Sequence, residues 1–290
     1  MTRPRLSHRL QDAATGAVIA LARLLPYRPR LAVMGWFGRA VLGPLGMNRR
    51  IRANLRHVMP DLPPDQVRAI CREVADNFAR AFIELHSPDD FLPRAAALTL
   101  TGPGVAALDQ ARAQGRAVIL ASAHFGNYEA WRGHLAAQGH RIGALYRPFS
   151  NPAANERYLR VLGAVSEPLF PSDGQGMGAM VRFLRGGGVL GVLTDIHQPG
   201  GERLDFLGKP ATTATSAARL ALKYDALLLP IYATRGADGL GFTLEIEAPV
   251  PASDPLTMTQ ALNDSIAARI RAHPGQWFWA HRRWKGFPDG

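Results

Sequence analysis

Cysteine is almost absent from this chain. Cys71 stands alone among 290 residues, so no disulfide can form within it, which fits a reducing compartment. Cys71 lies in a stretch of helical pattern and reads as a small core residue, with a reactive thiol as the alternative. Neither C-x-x-C nor H-E-x-x-H occurs, so the commonest metal signatures are missing. Long apolar runs are missing too. Ala13 to Ala22 is an uncharged stretch of ten residues, short of the roughly 18 that suggest a spanning helix. No internal repeat or low-complexity linker interrupts the chain, which excludes solenoid and bead-string architectures. Acidic residues are scarce: 23 Asp and Glu against 34 Lys and Arg, a net charge of +11. Such an excess draws a protein toward a polyanion, whether nucleic acid, an anionic membrane surface or an acidic protein. The arginines form no single stripe and no nucleic-acid-binding motif is present, so nucleic acid is not an expected partner.

The apolar fraction of 47% and charged fraction of 20% are those of a folded protein with a full core. Near the start, Leu10, Ala14, Val18, Leu21 and Leu25 recur at steps of three and four, one stripe on a helix. Arg3, Arg5, His8 and Arg9 precede it, Arg23 interrupts it, and Arg28 and Arg30 follow it. A helix lying in a lipid interface has this pattern. A helix packed on the domain and a cleaved signal peptide are the other two readings. Leu31 to Met47, with Trp36, Phe37 and Arg39, is a second apolar stretch that could lie beside the first.

Residues 48–95 read as helical. Asp61, Pro63 and Pro64 open a segment with Val67, Ile70, Val74, Phe78, Phe82 and Leu85 at helical spacing, and Pro88 and Pro93 close it. Beyond residue 98, apolar runs at 117–121, 142–146, 189–194, 227–232 and 242–248 read as strands. They alternate with helical stretches at 104–113, 128–138, 152–162, 176–185 and 212–224, and 257–272 is a last helix. This alternation predicts an α/β fold, a mixed and largely parallel sheet flanked by helices. The division expected is 1–50, a helical and membrane-associating portion, and 51–290, one α/β domain.

The chemistry points to His124-Phe125-Gly126-Asn127-Tyr128-Glu129, just after the apolar run 117–121. Five residues along a helix turn about 140° net, so His124 and Glu129 cannot share a helix face. They can meet if His124 sits in the turn after a strand and Glu129 in the first turn of the next helix. Gly126 permits that turn, and Asn127 is a good N-cap for a helix from Tyr128 to Ala137 that Gly139 ends. There Glu129 would stay ionised near the helix dipole and hold His124 in one tautomer as a general base. Backbone N–H groups of the turn could receive a developing oxyanion. Ser122 is the one candidate nucleophile nearby. A thioester donor would need no enzyme nucleophile, because the base could activate the acceptor hydroxyl directly.

The block resembles the H-x4-D/E motif of the lipid A biosynthesis (Kdo2-lipid A) lauroyl/myristoyl acyltransferases, and three further blocks match in order. Tyr146-Arg147-Pro148 with Asn151-Pro152 is similar to the family's Tyr-Arg-Pro block. Gly191-Val192-Leu193-Thr194-Asp195, then Phe206-Leu207-Gly208-Lys209-Pro210-Ala211-Thr212, resembles its "Asp-Gln … Phe-Phe-Gly-x-Pro-Ala" region. His273-Pro274-Gly275-Gln276-Trp277-Phe278-Trp279-Ala280-His281-Arg282-Arg283-Trp284-Lys285 resembles its "Pro-x-Gln-Trp-x-Trp-x-His-x-Arg" ending. Ile196, Leu207 and Asp205 depart from the pattern and bear on the acceptor rather than on the chemistry.

The resemblance implies a glycerolipid acyltransferase-like fold, with 51–290 the acyltransferase domain. It implies transfer of a fatty acyl chain from acyl carrier protein, a co-substrate, to a hydroxyl of a lipid A precursor, with no cofactor. The setting implied is the cytoplasmic face of the inner membrane, in peripheral or monotopic attachment. The partners are acyl carrier protein, an anionic saccharide lipid and the membrane surface. His124 would be the base and Glu129 its orienting partner. Arg147, Asp195, Gly126 and Asn127 would serve the substrate, with Arg147 on acidic groups of the acceptor and Asp195 orienting the acceptor or the region of His124. Arg282, Arg283 and Lys285 with Trp277, Trp279 and Trp284 would form a basic-aromatic rim for lipid headgroups, the tryptophans being core in the other reading. Acylation of another bacterial lipid, an ornithine lipid or glycolipid, is the alternative within the family. A membrane-surface binding protein without activity is the alternative outside it.

Overall fold

The computed structural model describes residues 6–286; Arg3 and Arg5 lie outside them. Five helical elements come first: α1 (Leu6–Arg23), α2 (Tyr27–Phe37), a wide π-helical stretch (Gly38–Met47), α3 (Asn48–Val58) and α4 (Pro64–Leu85). Helix α5 (Pro88–Ala96) leads into alternating strands and helices. These are β1 (Leu100–Thr101), α6 (Val105–Ala113), β2 (Val118–Ser122), α7 (Tyr128–Ala137), β3 (Ile142–Tyr146), α8 (Pro152–Val165), β4 (Leu169–Pro171), α9 (Gly174–Arg185) and β5 (Val189–Leu193). The chain ends with β6 (Glu202–Phe206), β7 (Lys209–Thr213), α10 (Ser216–Lys223), β8 (Leu227–Arg235), β9 (Phe242–Ile246) and α11 (Pro255–Ala272). The mixed α/β expectation holds. No helix among the described residues is long and apolar enough to cross a membrane.

The seven-stranded sheet runs β1-β9-β8-β2-β5-β3-β4. Strands β8, β2, β5, β3 and β4 are mutually parallel, while β9 is antiparallel to β8. Strand β2 sits in the middle, and Val118, Ile119, Leu120, Ala121 and Ser122 are all buried. That is why 117–121 reads as a continuous apolar run rather than an alternating one. The register sets Ser122 of β2 beside Leu193 of β5. The loops that follow these two strands therefore leave the sheet side by side at its carboxyl end, the usual place for ligands in such sheets.

Helix starts follow their local chemistry. Side chains of Asn127, Asn151, Asp173 and Asp254 accept hydrogen bonds from backbone N–H groups in the first turns of α7, α8, α9 and α11, satisfying donors that a helix leaves open. Other segments correct the sequence reading. Pro88 does not close a helix but opens α5, where a missing N–H costs nothing. The helix expected from 212 begins at Ser216, because Thr212 and Thr213 belong to the β6–β7 hairpin. That hairpin turns through Leu207 and Gly208, both at positive φ, and its period-2 signal is too short to stand out.

The tail is interior. Trp277, Trp279, Trp284 and Arg283 are each 0–1% exposed, so the expected headgroup rim does not form from them; the core reading of the tryptophans holds. The indole of Trp279 donates to the Pro274 carbonyl (2.7 Å), and Arg283 donates to Thr212 O (2.9 Å) and Thr213 Oγ1 (2.6 Å). The guanidinium also lies over Phe206, 4.6 Å from its ring centre. Arg283 Nε and Trp284 Nε1 are buried without a partner, a cost that burial of the aromatic area offsets.

At the N-terminus, Tyr27, Leu31 and Met34 pack with Ile83 of α4, and Ile19 and Ala22 of α1 join them. Leu10 and Leu21 of the predicted stripe are 63% and 66% exposed, as are Leu24 (80%) and Leu45 (80%) beyond it.

The tightest backbone point is Gly126, at φ +56, where a Cβ would fall 1.8 Å from the Ala233 carbonyl oxygen. Gly126→Ala adds about 1–2 kcal/mol of left-handed strain and forces β8 and the turn apart at about 1–3 kcal/mol more. We expect urea unfolding to show a loss of order 3 kcal/mol; a loss below 0.5 would contradict this packing.

Candidate active site

His124 occupies the loop after β2 and Asp195 the loop after β5. The side chains meet, with His124 Nδ1 2.9 Å from Asp195 Oδ1. The backbone N–H of His124 donates to Asp195 Oδ2 (2.9 Å), and so does the indole N–H of Trp277 (2.8 Å). Asp195 is fully buried. Burial pushes its carboxyl pKa up, but His124 above all, with His281 and the Trp277 indole, outweighs that and holds it well below the usual carboxylate range. An ionised carboxylate only accepts hydrogen bonds, so the His124 proton belongs on Nδ1 and Nε2 is the free nitrogen.

The carboxylate that holds the imidazole is thus Asp195, not Glu129. Glu129 lies in the first turn of α7, as expected, but pairs with Arg132 one turn on, both side chains being buried. Arg132 also donates to the Ser166 carbonyl (3.1 Å). Burial raises the Glu129 carboxyl, with Arg132 opposing it. The cause is geometric. Register brings Asp195 to His124 across two neighbouring strands, whereas Glu129 leaves the turn along a helix that points it elsewhere.

The turn itself is clamped. Gly126 N–H donates to Gln276 O (2.9 Å), and Gly126 O accepts from Asn77 Nδ2 (2.9 Å). Phe278 N–H donates to His124 O (2.9 Å). Arg235 holds Asn77 Oδ1 (2.7 Å) and both oxygens of buried Glu84 (2.6 Å each). Asn127 has both ends of its amide engaged, Oδ1 capping α7 and Nδ2 on Glu84 (2.8 Å). Its role here is to build the turn, as is that of Gly126. Of the backbone donors in the turn, His124, Phe125, Gly126 and Glu129 are bonded within the protein.

His124 opens on a cavity of about 950 Å³, at the upper end of the range for small-molecule sites, about 300–1,000 Å³. One wall is a stripe of α4: Val74, Phe78, Ala81, Phe82 and Leu85. Helix α1 supplies Gln11, Asp12, Ala14 and Thr15, and α8 supplies Ala154, Arg157 and Tyr158. Phe278 and His281 of the tail complete the catalytic end, Phe278 stacking on Phe78 with ring centres 4.9 Å apart. Arg157 fastens α1 across the cavity through Asp12 Oδ1 (2.8 Å) and the Asp12 carbonyl (3.0 Å). Arg147 is exposed, just after β3 at the same end of the sheet, and does not line the cavity. Trp277, Gln276 and His281 were legible as a motif but not as parts of the site. A half-buried base beside a largely apolar chamber suits proton abstraction from a hydroxyl next to a bound aliphatic chain.

The sequence matches the family described as bacterial lipid A biosynthesis acyltransferase over residues 5–286. It is similar to the phosphatidylinositol mannoside acyltransferase of Mycobacterium tuberculosis, 27% identical over 267 residues, 88% of this chain and 84% of that one. It is similar to the lipid A biosynthesis lauroyltransferase of Escherichia coli, 28% identical over 194 residues, 64% of this chain and 62% of that one. The lipid A biosynthesis acyltransferase of Haemophilus influenzae is 24% identical over 246 residues, 82% and 77% of the two chains.

Because the Asp195 pKa is depressed in the fold, its charge contributes stability above its unfolded value near 4. That contribution disappears as pH falls through the folded value. Asp195→Asn is therefore expected to cost about 2 kcal/mol or more at pH 7, and the gap to the parent should shrink at pH 3. Urea unfolding at both pH values measures it; an equal gap at both would refute the charge assignment.

Proposed function

Because the chain belongs to the bacterial lipid A biosynthesis acyltransferase family, and is an acyltransferase, we propose that it transfers a fatty acyl chain from an acyl carrier protein thioester to a hydroxyl of a lipid A precursor. The observation that carries this reading is the His124–Asp195 pair at the mouth of the apolar cavity. His124 Nε2 takes the proton of the acceptor hydroxyl, and Asp195 stabilises the imidazolium that forms. The acceptor oxygen attacks the thioester carbonyl, and the thiolate leaves with the proton from His124. Asp195 thus does the orienting expected of Glu129, while Glu129 lines the cavity and pairs with Arg132. Arg147, at the same sheet end, meets acidic groups of the acceptor from outside the cavity.

The exposed Leu10, Leu21, Leu24 and Leu45, with the charge of +11, support attachment to an anionic membrane surface through residues 1–50. That is the cytoplasmic face of the inner membrane, where acyl carrier protein, itself acidic, is the donor. A phosphorylated glycolipid other than lipid A is the second reading, supported by the similarity to phosphatidylinositol mannoside acyltransferase over most of both chains.

Purified protein with dodecanoyl-acyl carrier protein is expected to acylate a lipid A precursor and not a phosphatidylinositol mannoside, read by mass spectrometry. His124→Ala should lower the rate by about 10²–10⁴. Wild-type rates in that variant sink the mechanism, and unchanged lipid A in a deletion strain sinks the acceptor.

Cavity length gives a second expectation. Phe78 stands at the catalytic end, and His86 lies eight residues, about 12 Å, further along α4. Ala81 lies between them. Ala81→Phe should reduce the preference for dodecanoyl over octanoyl donor, as a ratio of kcat/KM, by about tenfold or more. An unchanged ratio would place the acyl chain elsewhere.

A further inference from the structure

His281 has a place in the site that the dyad leaves unexplained. Its ring packs edge-on against His124, with centroids 4.6 Å apart at 70°. Phe278 packs on it at 4.8 Å and 89°. Its backbone carbonyl is held by Asn54 Nδ2 (2.7 Å), so the segment is anchored to α3. Yet Nε2 is buried with no hydrogen-bond partner, and no ring hydrogen bond is made by the other nitrogen among the described residues. A ring with no hydrogen bond of its own calls for an explanation, and this ring lines the cavity beside His124.

Resting on the acyl-transfer reading above, we infer that His281 is a catalytic residue whose neutral ring donates an N–H hydrogen bond to the acyl carbonyl oxygen as it becomes an oxyanion. The charged and titratable groups that act on His281 are His124, Asp195 and Arg283. Burial first, then His124 and Arg283, lower its pKa to about 4 against the pull of Asp195. It is therefore uncharged at neutral pH and carries one N–H. A neutral imidazole can polarise a carbonyl without adding a second cation beside the imidazolium that forms on His124.

The step balances. The acceptor O–H proton moves to His124 Nε2, and the new C–O bond forms as the carbonyl π pair moves onto oxygen. That oxygen accepts from His281. On collapse the C–S bond breaks, and the thiolate receives the proton from His124. Most backbone donors of the 124–129 turn are already used, which leaves room for a side-chain donor here.

His281→Phe keeps the ring packing and removes the donor. With dodecanoyl-acyl carrier protein and a lipid A precursor, kcat should fall about a hundredfold or more, while KM for the donor stays within about threefold. His281→Gln should recover at least about tenfold of that loss. If the Phe variant shows no cooperative unfolding, His281→Gln and His281→Met, similar in size, carry the comparison, and equal rates for the pair overturn the inference. A wild-type kcat in His281→Phe also overturns it. His124→Ala separates the two readings. If it is inactive while His281→Phe is fully active, only the role of His281 fails; if His124→Ala is fully active, the acyl-transfer mechanism itself fails.

Discussion

A carboxylate sealed from water must be surrounded by donors, or it will not stay charged. Asp195 satisfies this with three hydrogen bonds from two distant segments, two from His124 and one from Trp277. Those bonds fix the end of β2, the end of β5 and the tail in one arrangement. The turn after β2 cannot relax, because Gln276, next to Trp277, holds Gly126 from the same side. A second buried charge cluster, Glu84 with Arg235, holds Asn77 and Asn127, and through them the turn and the start of α7. Site and core are therefore joined by one polar framework.

This framework divides labour between two acids, of which sequence spacing favours Glu129 as the partner of His124. Asp195 faces an imidazole and remains ionised. Glu129 faces Arg132, and the pair ties the first turn of α7 to the Ser166 carbonyl at the end of α8. Removing one member of such a pair strands a charge in the interior, so its effect on folding precedes any effect on chemistry.

Much of the site was legible because its parts are local. A strand of five buried residues, a glycine that must turn and an asparagine that caps a helix are all carried by residues 117–129, and each reads from its own chemistry. The Asp195 contact is not local. It depends on β2 and β5 being neighbours in register, and the chain between His124 and Asp195, 71 positions apart, carries no signal of that pairing. The family resemblance offered Asp195 for orienting the acceptor or the region of His124, but spacing along the chain assigned the carboxylate on the imidazole to Glu129. The tail was misplaced as a rim because Trp and Arg suit a lipid surface and a hydrogen-bonded interior equally by composition. Only the acceptors offered by Pro274, Thr212 and Thr213 decide between them. The hairpin at 202–213 went unseen because its two strands are short and mixed in polarity.

Helix α1 has two faces with different duties. One side turns Leu10 and Leu21 outward; the other closes the long chamber and is latched there by Arg157 on Asp12 and by Asn151 on the His8 carbonyl. A detergent chosen to keep the protein in solution is consequently not an inert medium. Micelles that wet the outer leucines touch the same helix that lines the apolar space, and amphiphile monomers carry the kind of alkyl chain that such a space admits. The choice of solubilising agent becomes an experimental variable of the site, to be titrated like a competing ligand.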